Sequence, residues 1–335
     1  MSKPWKMSVV VCTRNRPQDI ETCLPTVLAC PFPDAEVILV DQSTGTETCE
    51  IARRLQRDWP HLVYVPTHTV GKSIALGLGI ARAQGNILAF TDDDCDVPEC
   101  WLVRIASAFE RSPHMDILFG PVLPSPAIEN LDEVCVPAWS FSEPRELAKG
   151  EVCGMGANMA LRRSALERLG DAWFDPLLGP GAPFPAGEEG DFVYRLRAAG
   201  ARAALRPALA VWHRAFRLPD HWQTVLHGYG VGDGAFHAKH ARCGDSWAWR
   251  TIAHHLAYYG ARAAGKALLR RTPNSDMSTL RGYWRGLTQS LHHPLDKKTR
   301  LYTLAQTPPA ADTIPREAET QAAAPSPERS MSKVV

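Results

Sequence analysis

The stretch Ile87-Leu-Ala-Phe-Thr-Asp-Asp-Asp-Cys-Asp-Val-Pro98 decides the fold. Ile87–Phe90 is apolar without alternation, as in a strand buried on both faces of a parallel sheet. Three carboxylates follow at once. Unit charges ~4 Å apart repel by roughly 1–4 kcal/mol at surface-like dielectrics. Asp92, Asp93 and Asp94 therefore call for a counter-charge. A run of oxygen ligands suits Mg²⁺ or Mn²⁺, which bridge carboxylates to a substrate diphosphate. The plain alternative is a solvated acidic turn leading into Pro98.

Upstream, the same pattern repeats. Met7–Cys12, Glu36–Val40 and Leu62–Val65 are short apolar runs, each followed by a helical stretch: to about Leu28, over Glu47–Arg57 and over Ser73–Ala83. Such alternation predicts an α/β sheet with helices on both faces. Ligands of these sheets bind beyond the carboxyl ends of the strands. The residues to inspect are thus Thr13–Arg16, Asp41–Ser43 and Thr91–Asp94. Downstream, Trp101–Glu110 reads as helix, Ile117–Phe119 as strand, and Pro121–Gly150 as irregular. Met159–Leu169 reads as a strand end turning into helix. Phe192–Ala199 is a predicted helix, Ala208–Trp212 a predicted strand ending at His213, and the chain is helical from Leu218.

The chain has 335 residues, 45% apolar and 22% charged, as expected of a globular protein. With 37 Lys+Arg against 36 Asp+Glu, it lacks the basic excess that nucleic acid demands. The balance hides an asymmetry. His237–Leu301 holds 12 basic and 3 acidic residues, a local charge of +9. No apolar run approaches the ~20 residues of a membrane span, and the first residues carry no apolar signal core. Nine Cys, an odd number without any CxxC, read as reduced thiols of a cytoplasmic protein rather than disulfides or a zinc site. Residues 306–335, rich in Ala, Pro, Thr and Glu, are expected to be a disordered tail.

Further candidates surround the strand ends. A carboxylate at Asp41 suits a ribose or nucleobase edge, or a simple turn. Arg14 and Arg16, with Thr13 and Asn15, offer phosphate contacts. Gly71-Lys72-Ser73 is not a P-loop, because residue 66 is Pro where that motif needs Gly. Glu188, Glu189 and Asp191 open a predicted helix, where acids are favoured anyway. One of them could instead take a proton from an acceptor hydroxyl. His213 ends a strand, where it is either structural or in contact with metal or diphosphate.

Six segments in order, over about residues 7–215, resemble the family-2 glycosyltransferases. These are VVVCTRNRP, VILVDQST, ILAFTDDDCDVP, GMGANMALRRSALERLG from Gly154, GEEGDFVYRLRAAG, and VWH. The resemblance implies a GT-A fold, Rossmann-like with a mostly parallel sheet, plus a C-terminal helical region. It implies an inverting transfer from a nucleotide-diphosphate sugar, with Mg²⁺ or Mn²⁺ held by Asp92 and Asp94, joined by His213. Thr13, Arg14, Asn15, Arg16, Asp41, Ser43, Lys72, Asp92, Asp93, Gly156 and Asn158 would contact nucleotide or donor. Glu189 falls where the family usually has its base Asp, with Glu188 and Asp191 as rivals. The sequence departs at Leu76-Gly77, where the family carries Arg-Asn.

The expected organisation is a catalytic domain over 1–217, a basic helical accessory region over 218–305, and the tail. In the accessory region, Trp247, Trp249, Tyr258, Tyr259 and Trp284 with Arg262, Lys266, Arg270, Arg281 and Arg285 fit either ordinary helix packing or an interface with an anionic membrane surface. The expected acceptor is a glycan, a lipid-linked saccharide or a small molecule. The competing classes are a sugar-phosphate nucleotidyltransferase, disfavoured because no Gly-rich loop follows the first strand, and a non-catalytic glycan-binding scaffold.

Overall fold

The computed structural model describes residues 6–148, 151–269 and 274–303. The anticipated tail and Arg270 lie outside them. Four parallel strands form one half of an eight-stranded sheet: β1 (Met7–Thr13), β2 (Ala35–Asp41), β3 (Leu62–Pro66) and β4 (Ile87–Asp92). The crossovers are α1 (Pro17–Leu28), α2 (Glu47–Asp58) and α3 (Lys72–Arg82). Val9, Val10, Val11, Ile38, Leu39, Leu88 and Ala89 are fully buried, because helices cover both faces. Uninterrupted apolar runs report that two-sided burial.

Next come β5 (Cys95–Asp96), α4 (Trp101–Arg111), β6 (Ile117–Phe119), β7 (Val122–Pro124), β8 (Arg145–Glu146), β9 (Asn158–Arg162) and the short α5 (Arg163–Leu166). They are followed by α6 (Glu188–Ala198), β10 (Ala203–Leu205) and β11 (Val211–His213). The large sheet runs β3-β2-β1-β4-β9-β6-β10-β8. Strand β9 is antiparallel to both neighbours, β4 and β6, and β8 is antiparallel to β10. The sheet is therefore mostly parallel, as the resemblance implied.

Two sequence expectations shift. The run from Ala208 is not one strand. A 3₁₀ turn over Pro207–Leu209 precedes β11, since Pro207 lacks the N–H that a ladder needs. The Pro-rich segment contains β7 and the edge strand β8, both too short to show a period. Strands β5, β11 and β7 form a separate small sheet that pairs His213 with Cys95 on one side and Pro124 on the other.

The helical region comprises α7 (Pro219–Arg242), α8 (Ser246–Leu268) and α9 (Asn274–Ser290), closed by the hairpin β12 (Leu295–Asp296) and β13 (Leu301–Tyr302). Helices α7 and α9 lie backbone to backbone. A Cβ built on Gly230 or Gly234 would collide with the backbone of Thr279 or Tyr283, and one on Gly282 or Gly286 with that of His227 or Val231. A buried ion network ties this region to α6. Lys239 on α7 reaches Asp175 at 2.6 Å and Asp191 at 2.7 Å. The described residues up to Thr303 form one compact unit.

Candidate active site

A cleft of about 1010 Å³ opens at the carboxyl ends of β1 and β4. That volume suits a nucleotide-sized ligand. The register Cys12↔Asp92 brings Thr13 and the aspartate trio to one edge. Residues 154–157 form one wall and the start of α6 another. Helices α7 and α8 close the far side.

The three aspartates face different partners. Asp92 accepts from the Lys72 ammonium at 2.6 Å and stays partly open to the cleft. Asp93 accepts from Thr13 Oγ1 at 2.8 Å and Arg16 Nη1 at 2.5 Å. Burial nevertheless outweighs both and pushes its carboxyl up to about 7. Asp94 is buried too, but His213 and then Arg16, at 3.0 Å, more than offset that and hold its carboxyl below the usual range. The mutual repulsion read in the sequence is thus relieved in part by Arg16 and Lys72.

His213 completes this edge. Its Nδ1 lies 3.0 Å from the Ala215 carbonyl, which can only accept, so Nδ1 carries the proton. Nε2 then faces Asp94 Oδ1 at 3.4 Å. Either a proton on Nε2 or a divalent ion between the two atoms satisfies that pair. An imidazole fixed by a carbonyl on its far nitrogen is the usual arrangement of a metal ligand. Cys95 Sγ is also close, with ligand atoms of Asp94, Cys95 and His213 all within 4.8 Å. Burial keeps that thiol well above its ordinary pKa and therefore protonated. The carboxylate donors fit Mg²⁺ or Mn²⁺, and an imidazole beside them favours the softer Mn²⁺ over Mg²⁺.

Across the cleft, the acidic start of α6 splits by helical geometry. Gly187 in the left-handed region (φ 88°) begins the helix. Glu188 is buried against Gly179, and Lys72 Nζ lies 3.7 Å from its carboxylate. Burial, then Glu189, pushes Glu188 up to about 8. Glu189 lines the cleft, packed on Gly156, where a Cβ would sit 3.4 Å from Glu189 Cβ. Gly156 thereby leaves Glu189 room. Lys72 itself is set by the clasp of α3 onto the neighbouring loop: Lys72 N donates to Pro180 O at 2.9 Å and Ser73 Oγ to Leu178 O at 2.7 Å.

Two expectations are corrected. Asp191 does not face the cleft. It is fully buried between Arg195 at 2.8 Å, Lys239 at 2.7 Å and His240 at 2.8 Å, because residues two apart on a helix point to opposite sides. Against the cost of burial, the Arg195 and Lys239 cations and the His240 hydrogen bond hold its carboxyl far below the ordinary range. Asn158 does not contact the donor pocket either. Its amide donates to Pro121 O at 2.8 Å and Leu209 O at 2.6 Å, closing the backbone around the small sheet.

Of the remaining candidates, Thr13, Arg14 and Arg16 line the cleft. Asn15, with φ 56°, instead holds the β1 and β2 loops together: its Oδ1 accepts from Thr44 N at 2.9 Å, and its N–H donates to Ser43 Oγ at 2.8 Å. Asp41 sits behind these loops, accepting from Ser43 N and Tyr64 Oη, both at 2.8 Å. Neither Asn15, Asp41 nor Ser43 is among the lining residues. Gln42, inside the inspected Asp41–Ser43 loop, lines the cleft, and sequence reading missed Trp222, Tyr229 and Asp233, which line it too. The only signal for the last two was the run His227–Gly234, with Gly at every second position inside a helix.

The model for glycosyl transferase family 2 matches residues 8–170. The glycosyltransferase AglE of Haloferax volcanii is 33% identical over 119 residues, 35% of this chain and 39% of that protein. The succinoglycan biosynthesis protein ExoM of Rhizobium meliloti is 28% identical over 212 residues, 60% of this chain and 64% of its own. The chain thus spans less than two thirds of the length of these relatives. Among solved structures, the mannosyltransferase of Pyrobaculum calidifontis in complex with GDP-mannose and Mn²⁺ aligns with TM-score 0.58 at 21% identity, covering 87% of this chain and 88% of that one.

Proposed function

The chain belongs to glycosyl transferase family 2 through residues 8–170, and from that premise we propose that it moves a sugar from a nucleotide-diphosphate donor to an acceptor hydroxyl with inversion. One observation carries the proposal. The Lys72 ammonium lies 2.6 Å from Asp92 and 3.7 Å from Glu188, so both acidic clusters face a single cleft.

Thr13, Arg14 and Arg16 hold the nucleotide end, with the Asn15–Ser43 clasp and Asp41 fixing the loops behind it. Asp92, Asp94 and His213 would hold the divalent ion. That ion, when bound, neutralises the charge developing on the nucleoside diphosphate as it leaves. Lys72 adds a fixed positive charge beside the same edge, screened by its two carboxylates. Gly156 keeps the sugar pocket open beside Glu189. The Glu189 carboxylate accepts the proton of the attacking hydroxyl, a step that general bases accelerate by about 10²–10⁴-fold. The hydroxyl oxygen bonds to the anomeric carbon as the bond to the diphosphate oxygen breaks, so the configuration inverts. Likeness to a protein of succinoglycan biosynthesis supports a saccharide acceptor. The exposed Trp249 and Trp284, on helices rich in Arg, support contact of this region with an anionic membrane surface. No helix among the described residues is long and apolar enough to cross a membrane.

The test is incubation with UDP- and GDP-sugars, Mn²⁺ and a saccharide panel. Release of nucleoside diphosphate, with a β-linked product from an α-linked donor, supports the proposal. Release of pyrophosphate from a nucleoside triphosphate and sugar phosphate, without any transfer, overturns it in favour of nucleotidyl transfer.

A further inference from the structure

One wall of the cleft comes wholly from the helical region. Tyr229, Asp233, Phe236 and His237 of α7 line it at spacings of four, seven and eight residues, one face of a helix. Trp247, Thr251 and His255 of α8 line it at the same repeat, and Trp222 stands at the start of α7. The wall is aromatic apart from Thr251 and one carboxylate.

That carboxylate is Asp233. Among the described residues, no ion pair or hydrogen bond reaches it, and the charge it feels is that of Glu189. Burial, then Glu189, pushes it up to about 7. Its position is rigid. A Cβ on the preceding Gly232 would collide with the backbone of Ala186, and one on Gly187 would sit 3.1 Å from Gly232 O. Helix α7 is therefore pressed onto the segment that starts α6, and Asp233 and Glu189 share one end of the cleft. Tyr229 feels the same charge from Glu189, is 40% exposed, and pairs edge-on with Trp222 at 6.3 Å between ring centroids.

This chemistry selects its ligand. Two carboxyl groups beside each other disfavour a phosphate and offer hydrogen-bond partners to sugar hydroxyls. Aromatic faces are electron-rich and attract the C–H face of a pyranose ring. The Arg and Lys side chains lining the cleft are Arg14, Arg16, Lys72 and Arg217, and none belongs to the helical wall. We propose that Asp233, Tyr229 and Trp222 form the acceptor subsite, taking the uncharged pyranose that carries the attacking hydroxyl, with Asp233 accepting from a neighbouring hydroxyl. This rests on the glycosyl-transfer reading above. It assigns the helical region to acceptor choice, and Asp233 is a binding group there, distinct from the base.

The test loads the full chain with UDP or GDP and Mn²⁺. It then measures binding of methyl β-glucoside, methyl β-galactoside, methyl α-mannoside, cellobiose, lactose and maltose by saturation-transfer NMR. At least one saccharide binds, and its affinity falls at least tenfold in Asp233→Asn and Trp222→Ala, while the nucleotide midpoint stays within twofold. Should Asp233→Asn fail to fold, Trp222→Ala and Tyr229→Ala carry the comparison. Saccharide binding unchanged in the folded variants, or none to nucleotide-loaded protein, overturns the subsite. Failure of both nucleotides to bind overturns the parent reading and the subsite with it.

Discussion

Replacing Asp191 by Asn and Glu189 by Gln separates a structural carboxylate from a reacting one two residues away. Asp191 is fully buried and is shared by Arg195, Lys239 and His240 at 2.7–2.8 Å. Lys239 keeps Asp175 at 2.6 Å, but Arg195 has no second carboxylate among the ion pairs. Its other nitrogens donate to the Ala172 and Trp173 carbonyls. The variant thus leaves two buried cations on one carboxylate. Removing one partner from a buried pair costs about 3–5 kcal/mol. At roughly 2–4 °C per kcal/mol for a domain of this size, melting falls by roughly 6–20 °C. Glu189 is partly exposed, and no hydrogen bond holds its carboxylate among the described residues. Glu189→Gln therefore melts within ~1 kcal/mol of wild type, as other surface changes do, yet loses about 10²–10⁴-fold in turnover. Differential scanning calorimetry and donor turnover at 15 °C read both. Unchanged melting with lost turnover in Asp191→Asn, or full activity in Glu189→Gln, refutes the assignment.

Other outcomes follow from the same geometry. Burial, then His255 and His240, lower the His237 imidazole to about 3. Its depressed folded pKa means stability is complete above the ordinary value near 6.5 and is lost as pH falls towards 3, by up to about 1.4 kcal/mol per pH unit. His237→Gln flattens the melting curve between pH 6 and 4 by that slope, and an unchanged slope contradicts it. Gly234→Val forces a side chain into the Tyr283 backbone and should cost at least the roughly 1–3 kcal/mol of overpacking; denaturant titration giving less than half a kcal/mol would refute the close approach. Liposomes containing anionic lipid float with the full chain at low salt, and replacing Trp249, Trp284, Arg281 and Arg285 by Ser removes the association; no flotation of the wild type sinks the membrane reading.

The half of the fold that was legible is the half with long, doubly buried strands. Val9–Val11 and Ile38–Val40 announce themselves because nothing polar interrupts them. Strand direction leaves no mark in such a run, so the antiparallel setting of Asn158–Arg162 was invisible. Strands of two or three residues, such as Cys95–Asp96 and Ala203–Leu205, have no period to read. At the site, clustered charge was visible but its facing was not. Glu188, Glu189 and Asp191 look alike in sequence and differ only through the helical turn between them. Asn158 entered as a donor contact through the family resemblance alone, whereas its amide satisfies two backbone carbonyls. Asp233 passed unnoticed because a lone acid in a helix ordinarily faces water. The alternate glycines around it, which bring α7 against α9 and the start of α6, turn it into the cleft.

The direct test of the cation-held diphosphate is thermal shift of wild type and Asp94→Asn with UDP and GDP, each with and without Mn²⁺. A ligand at a hundredfold its dissociation constant stabilises by about 2.7 kcal/mol. The account expects one nucleotide to raise melting by several degrees only with Mn²⁺, and Asp94→Asn, which loses the Arg16 pair and starts from a lower melting point of its own, to show no such rise. An equal rise without metal, or in Asp94→Asn, contradicts it.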